Sequence, residues 1–189
     1  MVQKLLVICG PSGSGKTTVE KFILSNFPNK FCRTIQYSTR SMRFNESQYN
    51  PYVFVDTAYF NSIKHSLIGV VDDLKLWKNE YGTANCLSHD KINVAIFSIE
   101  GINDLLKAKE DGRISKDIQI FVLGLDVSNE ILLNNPDMKR EGRNEFYLDC
   151  ERKVFEHADY IDKVTDISKM RDLRFLFETK LPSAYKFFI

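Results

Sequence analysis

The chain carries almost no surplus of either charge. Its 26 Lys and Arg stand against 25 Asp and Glu, a formal net charge of +1. Without a global field, nothing holds a nucleic acid backbone or an anionic bilayer, so any polyanion must be met by a local cluster of cations. Cysteine is scarce. The four, at positions 9, 32, 86 and 150, have neither the pairwise spacing of a zinc site nor the density of a disulfide scaffold, and read as reduced, mostly buried thiols. Nine glycines and five prolines in 189 residues exclude collagen-like and low-complexity chains. No apolar run approaches the roughly 20 residues of a membrane span, and the start lacks the basic-then-apolar plan of a signal peptide. What remains is ordinary for one globular domain, 43% apolar and 27% charged, and the expectation is a cytoplasmic protein with no nucleic acid or membrane partner.

The first element is a short apolar run, Lys4 to Cys9, ended by Gly10-Pro11. A continuous run of this length fits a central strand of a parallel sheet covered on both faces. A helix over Lys16–Asn26 follows, stopped before Pro28. Further strands are expected at Phe31–Tyr37, Tyr52–Val55, Leu67–Leu74, Val94–Ile99, Ile118–Leu123 and Tyr160–Val164. Helices are expected at Thr57–Ser66, Ile102–Glu110, Asn129–Asn135 with a break at Pro136, Asn144–Ala158 and Ser168–Lys180. Strands alternating with helices argue for βαβ units and an α/β sheet. No linker divides the chain into two domains.

Directly after the first strand stands Gly10-Pro11-Ser12-Gly13-Ser14-Gly15-Lys16-Thr17, a G-x-x-x-x-G-K-[ST] phosphate loop between a strand and a helix. The spacing follows from the chemistry. Glycines let the loop wrap so that successive backbone N–H groups face phosphate oxygens, and the helix adds its N-terminal partial charge. Lys16 then reaches the β- and γ-phosphates and the Thr17 hydroxyl reaches Mg²⁺, with Thr18 beside it, so ATP and Mg²⁺ are the implied cofactors. No N-K-x-D guanine motif follows, which argues against a Ras-like GTPase.

The next segment reads Tyr37-Ser38-Thr39-Arg40-Ser41-Met42-Arg43-Phe44-Asn45-Glu46, then Tyr52-Val53-Phe54-Val55 and later Tyr81-Gly82-Thr83. With the phosphate loop, this order resembles the guanylate kinase family, whose blocks are T-T-R-x-x-R-x-x-E, D-Y-x-F-V and Y-G-[TS]. The resemblance runs over roughly residues 1 to 105 and returns near Tyr160. It implies a nucleoside-monophosphate kinase that moves the γ-phosphoryl of ATP to GMP. Arg40, Arg43, Tyr52 and Tyr81 then hold the acceptor phosphate, since two guanidinium groups and two phenols offer charge-assisted hydrogen bonds to a dianion.

By the same resemblance the residue that accepts the guanine N–H groups lies nine positions before Tyr81, at Asp72, with Asp73 able to take over if the register slips by one, and Thr83 donates to O6. The chain departs from the family at Gln36, where a serine is usual. It departs again at Ser98 and Glu100, where the family has two acids. The loss at Ser98 weakens support of Mg²⁺, leaving Glu100 to help the base or the metal. Asp72 is also one methylene shorter than the glutamate of the family, and with Gln36 it admits deoxy-GMP or a different purine or pyrimidine.

A lid that closes over the phosphates is implied after the strand at Ile118–Leu123. It offers Lys139, Arg140 and Arg143, then Arg152 on a helix, twelve residues beyond Arg140; the first lid arginine of the family, near Asn134–Pro136, is absent. Arginines arriving on closure stabilise the charge spread over the equatorial oxygens while excluding water. Arg140, Arg152 and Arg143 are the lid candidates. His65, His89 and His157 sit in unrelated segments and none reads as a general base, which suits an acceptor that is already a phosphate oxyanion.

The expected architecture is a three-layer α/β P-loop NTPase fold with a parallel core sheet (residues 1–33, 89–133 and 151–189), an inserted small monophosphate-binding section (34–88) and a mobile lid (134–150). Its partners are small nucleotides, and it is a monomer or homodimer. The rivals are a kinase for another acceptor base and a guanylate-kinase-like interaction module without catalysis.

Overall fold

The computed structural model describes residues 2–44, 46–47, 52–72, 79–134 and 145–164. The run at Lys4–Cys9 forms strand β1, and its alternation decides the layering. Leu6 and Ile8 join one buried cluster with Val19 and Ile23, whereas Leu5, Val7 and Cys9 join another with Ile102, Leu105 and Ala108. Helix α1 (Lys16–Asn26) supplies the first pair and helix α3 (Ile99–Glu110) the second trio, so each face of the strand is covered by a helix. β1 occupies the middle of a five-stranded sheet of order β2-β7-β1-β8-β9, with β2 Phe31–Arg33, β7 Ile92–Ile96, β8 Gln119–Val127 and β9 Tyr160–Val164. Every pairing in it is parallel.

The stretch expected as one strand over Phe31–Tyr37 is two. Thr34 breaks it: its backbone N–H and its hydroxyl both donate to Val94 O at 3.0 Å, and the chain leaves the core sheet there. It re-forms as β3 (Gln36–Ser38) in a second sheet of order β4-β3-β6-β5, with β4 Val53–Phe54, β5 Leu67–Val71 and β6 Tyr81–Ala84. β6 has no counterpart among the expected strands. β3 pairs antiparallel with β6, setting Gln36 opposite Thr83 and Ser38 opposite Tyr81.

Among the described residues the other α-helices are α2 (Thr57–Ile63), capped by Asp56 accepting from Tyr59 N–H at 2.7 Å, then α4 (Asn129–Leu133) and α5 (Glu145–Arg152). The strand expected to reach Ile99 stops at Ile96 because Ser98 caps α3, its hydroxyl accepting from Gly101 N–H. Of the thiols, only Cys9 is buried and Cys86 is exposed, which corrects the expectation of mostly buried cysteines. Burial pushes the Cys9 thiol up to about 12. The helix expected at Ser168–Lys180 lies outside the described residues. Among those described, no helix is long and apolar enough to cross a membrane.

Candidate functional site

The phosphate loop leaves the C-terminal end of β1, where parallel sheets present their ligands. Gly10, Gly13 and Gly15 all take positive φ, at 141°, 80° and 89°. At Gly10 a close approach also excludes a side chain, since a Cβ would lie 2.5 Å from Leu125 O. Gly15 is the N-cap of α1 and offers no side-chain cap, and no acidic residue stands in the first turn. The N-terminal partial charge of the helix is therefore not answered by its own first turn. Lys16 folds back over the loop, donating from Nζ to Gly10 O at 2.7 Å and Pro11 O at 2.8 Å. Thr17 and Thr18 stand in the first turn of the helix, Thr18 exposed.

Two observations test whether this loop fits an anion. The Ser14 hydroxyl is buried without a partner. The carboxylate of Glu151, from α5, sits on the loop, accepting from Ser12 N–H at 2.7 Å and from the Ser12 hydroxyl at 2.8 Å. Ser12 of the loop thus turns a backbone and a side-chain donor toward anionic oxygens, as a phosphate-binding loop does. For a cation, the described residues contain no cluster of three His, Cys, Asp or Glu. Thr17 with phosphate oxygens and water is a donor set that suits Mg²⁺, which retains its waters.

One cleft runs from this loop to the small sheet. Gly10, Ser12, Lys16 and Thr17 of the loop line it, together with Arg40, Arg43, Tyr52 and Tyr81 and with Gln36, Gly69, Thr83 and Ile96. Arg40 is held firmly. It makes a two-pronged ion pair with Glu46, at 2.7 and 2.5 Å, and packs 5.3 Å from the Tyr52 ring centre and 5.0 Å from that of Phe54. Burial works against the charge on Arg40, but the Glu46 hydrogen bonds outweigh it and raise its pKa. The Tyr52 ring meets Tyr81 edge-on at 5.8 Å. Burial pushes the Tyr52 phenol up to about 12, so it stays a neutral donor at any physiological pH. Glu20, only 1% exposed, also lines the cleft and pairs with Arg33 at 2.9 Å. Its pKa is raised by burial, partly offset by Arg33.

Several expected site residues are elsewhere. Asp72 is 57% exposed, bound to Lys64 at 2.6 Å, and does not line the cleft. Its carboxylate is taken by the Lys64 ammonium. β5 itself carries a bulge before this point: Ile68 pairs with Thr83 and Val71 with Tyr81, so three steps on β5 match two on β6. Gly69, inside the bulge, lines the cleft instead. Glu100 does not line it either; it stands in the first turn of α3 with one carboxylate oxygen buried and unpartnered. Thr83 is in place, but its Oγ1 already accepts from Gln36 at 3.3 Å. Arg152 is turned away from the cleft, held by Asp126 at 3.2 Å, Asn129 at 2.5 Å, Val127 O at 2.5 Å and Asp149 at 3.3 Å. As placed, it fastens α5 to the end of β8. Asp73, Lys139, Arg140 and Arg143 lie outside the described residues. Glu151 is a site residue that sequence reasoning misses, because nothing in its local sequence distinguishes it from a solvated helix residue. Glu46 closes the R-x-x-R-x-x-E spacing, which is signal enough to mark it.

A parallel sheet with helices on both faces and a phosphate loop after its central strand define a P-loop α/β domain. The guanylate kinase family description matches residues 2–84. The chain is 30% identical to a guanylate kinase from Clostridium tetani over 163 residues, 84% of this chain and 74% of that protein. It is 43% identical to one from Oleidesulfovibrio alaskensis over 56 residues, 30% of this chain and 27% of that protein. The solved guanylate kinase of Anaplasma phagocytophilum shares the fold, with a TM-score of 0.60 at 19% identity over 90% of this chain and 81% of that one. The chain belongs to the guanylate kinase family. It spans 27% to 66% of the length of the first curated relatives it matches.

Proposed function

We propose that the protein is an ATP-dependent nucleoside-monophosphate kinase, with GMP or dGMP among its acceptors. The observation that carries the reading is the single cleft. Its lining includes both a loop already holding a carboxylate on Ser12 and the Arg40, Arg43, Tyr52 and Tyr81 side chains, suited to a second phosphate. Two phosphate sites in one cleft are what direct transfer between nucleotides requires.

In this reading the loop amides and Lys16 hold the donor phosphates. Lys16 exchanges its Gly10 and Pro11 carbonyl partners for phosphate oxygens. Thr17 would hold Mg²⁺, which supplies charge neutralisation between the β- and γ-phosphates. Arg40, aimed by Glu46, and Arg43 bind the acceptor phosphate, while Tyr52 and Tyr81 donate to its oxygens. No side chain needs to remove a proton, because the attacking oxygen is already anionic. Arg140 and Arg143 are proposed to bring further positive charge on closure. Cytoplasmic location fits this use of ATP. The intact Lys16 and Thr17 favour catalysis over a purely interacting module.

The experiment is ADP formation from ATP and Mg²⁺ with GMP, against a Lys16→Ala blank. Lys16-dependent ADP that requires the monophosphate supports the kinase; ATP binding without turnover for any monophosphate would refute it.

A further inference from the structure

We propose that the acceptor base is read by the carboxamide of Gln36, and that the protein therefore accepts nucleoside monophosphates of more than one base. The inference rests on the kinase reading above and concerns the wall that the small sheet gives the same cleft.

The β3–β6 register sets Gln36 directly opposite Thr83. Gln36 is 7% exposed, and its Nε2 donates to Thr83 Oγ1 at 3.3 Å and to Ile96 O at 3.2 Å. A backbone carbonyl only accepts, so Ile96 fixes which way the amide points. Both amide protons are used, and Oε1 is the end left to a ligand; it accepts no hydrogen bond among the described residues. Thr83 has no exposed surface. A base in the cleft therefore meets Gln36, with Thr83 holding the amide in place.

No carboxylate is available beside it among the described residues. The cleft has three, and none bonds to Gln36: Glu20 pairs with Arg33, Glu46 with Arg40, and Glu151 sits on Ser12 of the phosphate loop. Asp72 faces Lys64 instead. The bulge residue Gly69 has φ +61°, and a Cβ there would collide with the Phe97 ring. No side chain of any kind can reach the base from that position.

Guanine sets two adjacent N–H donors, N1–H and the 2-amino group, toward its reader. A carboxylate takes both, with charge assistance. A neutral amide oxygen takes them without that assistance, and every common base offers at least one such donor: the exocyclic amino groups of adenine and cytosine, or the ring N3–H of uracil and thymine. A single neutral hydrogen bond separates ligands by about tenfold at most. The phosphate cluster around Arg40 is indifferent to the base. The expected result is a shallow ranking of acceptors.

The test measures kcat/KM, and separately Kd by calorimetry, for GMP, AMP, CMP, UMP and dTMP. At least one non-guanine monophosphate should fall within about tenfold of GMP in the wild type. Gln36→Met removes the amide at similar volume. It should weaken all monophosphates, compress the differences between bases to about two- to threefold, and leave ATP affinity unchanged. A wild-type preference for GMP above about 100-fold over every other base would overturn the inference, as would base ratios unaltered in Gln36→Met; the wild-type series decides alone if that variant does not fold. Graded monophosphate binding without ADP formation would sink the kinase and leave the base reading standing. Turnover confined to GMP would do the reverse. No binding of any monophosphate would overturn the inference.

Discussion

Glu151 and Ser12 are joined through both carboxylate oxygens: Oε2 accepts from the Ser12 backbone N–H at 2.7 Å and Oε1 from its hydroxyl at 2.8 Å. The residues are 139 positions apart, so α5 is fastened to the phosphate loop by a group that imitates a phosphate. A nucleotide entering the loop must displace it. Glu151→Gln keeps the shape but removes the charge, and charge-assisted hydrogen bonds are roughly twice as strong as neutral ones. ATP should bind Glu151→Gln about three- to tenfold more tightly than the wild type in calorimetry. Equal or weaker binding would show that the contact does not compete with nucleotide.

Lys16 tests the loop from the other side. Its ammonium Nζ rests on two loop carbonyls, so Lys16→Ala removes two charge-assisted hydrogen bonds from the loop. Stability should fall by about 1–3 kcal/mol, the usual range for bonds to a charged group. Turnover should fall by about 10²–10³ or more, as when a preorganised transition-state donor is lost. A folded Lys16→Ala protein with near-wild-type turnover would remove Lys16 from the chemistry.

The core of this arrangement is legible in residues 4–17 because local signals and tertiary roles agree there. An apolar strand, a glycine-rich loop and a helix start are each specified by near neighbours. The small sheet is less legible. Phe31–Tyr37 reads as one strand because nothing local marks Thr34 as the residue that changes partner; Val94 does that from 60 positions away. Tyr81–Ala84 is four residues with a glycine and no alternation, too short for a periodic signal. Asp72 is picked out by its spacing from Tyr81, yet its side chain pairs with Lys64 outside the cleft, and no spacing records that contact. Glu151 is invisible because its role depends on where α5 packs.

The Lys64 contact makes a direct prediction for Asp72. Its side chain is mostly exposed and held by Lys64, so Asp72→Asn should leave the ratio of GMP to AMP kcat/KM unchanged within about twofold. A loss of guanine selectivity in that variant would return Asp72 to the base site.

Glu46 governs the acid limb of stability. Burial opposes its charge, but the Arg40 hydrogen bonds and the Arg43 backbone N–H hold its carboxyl below the ordinary value of 4.5. The unfolded chain therefore binds more protons than the folded one in the interval below that value. The stabilisation is fully present above the ordinary carboxylate range and is lost as pH falls through the folded pKa. Urea unfolding from about pH 6 down to about pH 3 should show the wild type losing stability more steeply than Glu46→Gln. At neutral pH the same substitution should cost about 1–3 kcal/mol, the value of breaking a charged hydrogen-bonded pair. Parallel pH profiles for the two proteins would exclude Glu46 as the titrating group.

Gly69 separates backbone strain from crowding. At φ +61° any L side chain is strained by about 1–2 kcal/mol, and at this position a methyl group would also press into the Phe97 ring, with three ring atoms under 3.0 Å away. Gly112 has φ +81° with nothing within 4 Å of where a methyl would stand, so Gly112→Ala reports the backbone cost alone. Gly69→Ala should lose about 1–3 kcal/mol more than Gly112→Ala in urea unfolding, the usual cost of overpacking. Because Phe97 lines the cleft near Gln36, the same variant should raise monophosphate KM while leaving ATP affinity unchanged. Equal losses for the two alanines would mean that the Phe97 ring moves aside freely, and the bulge would no longer explain why no side chain stands at that wall of the base site.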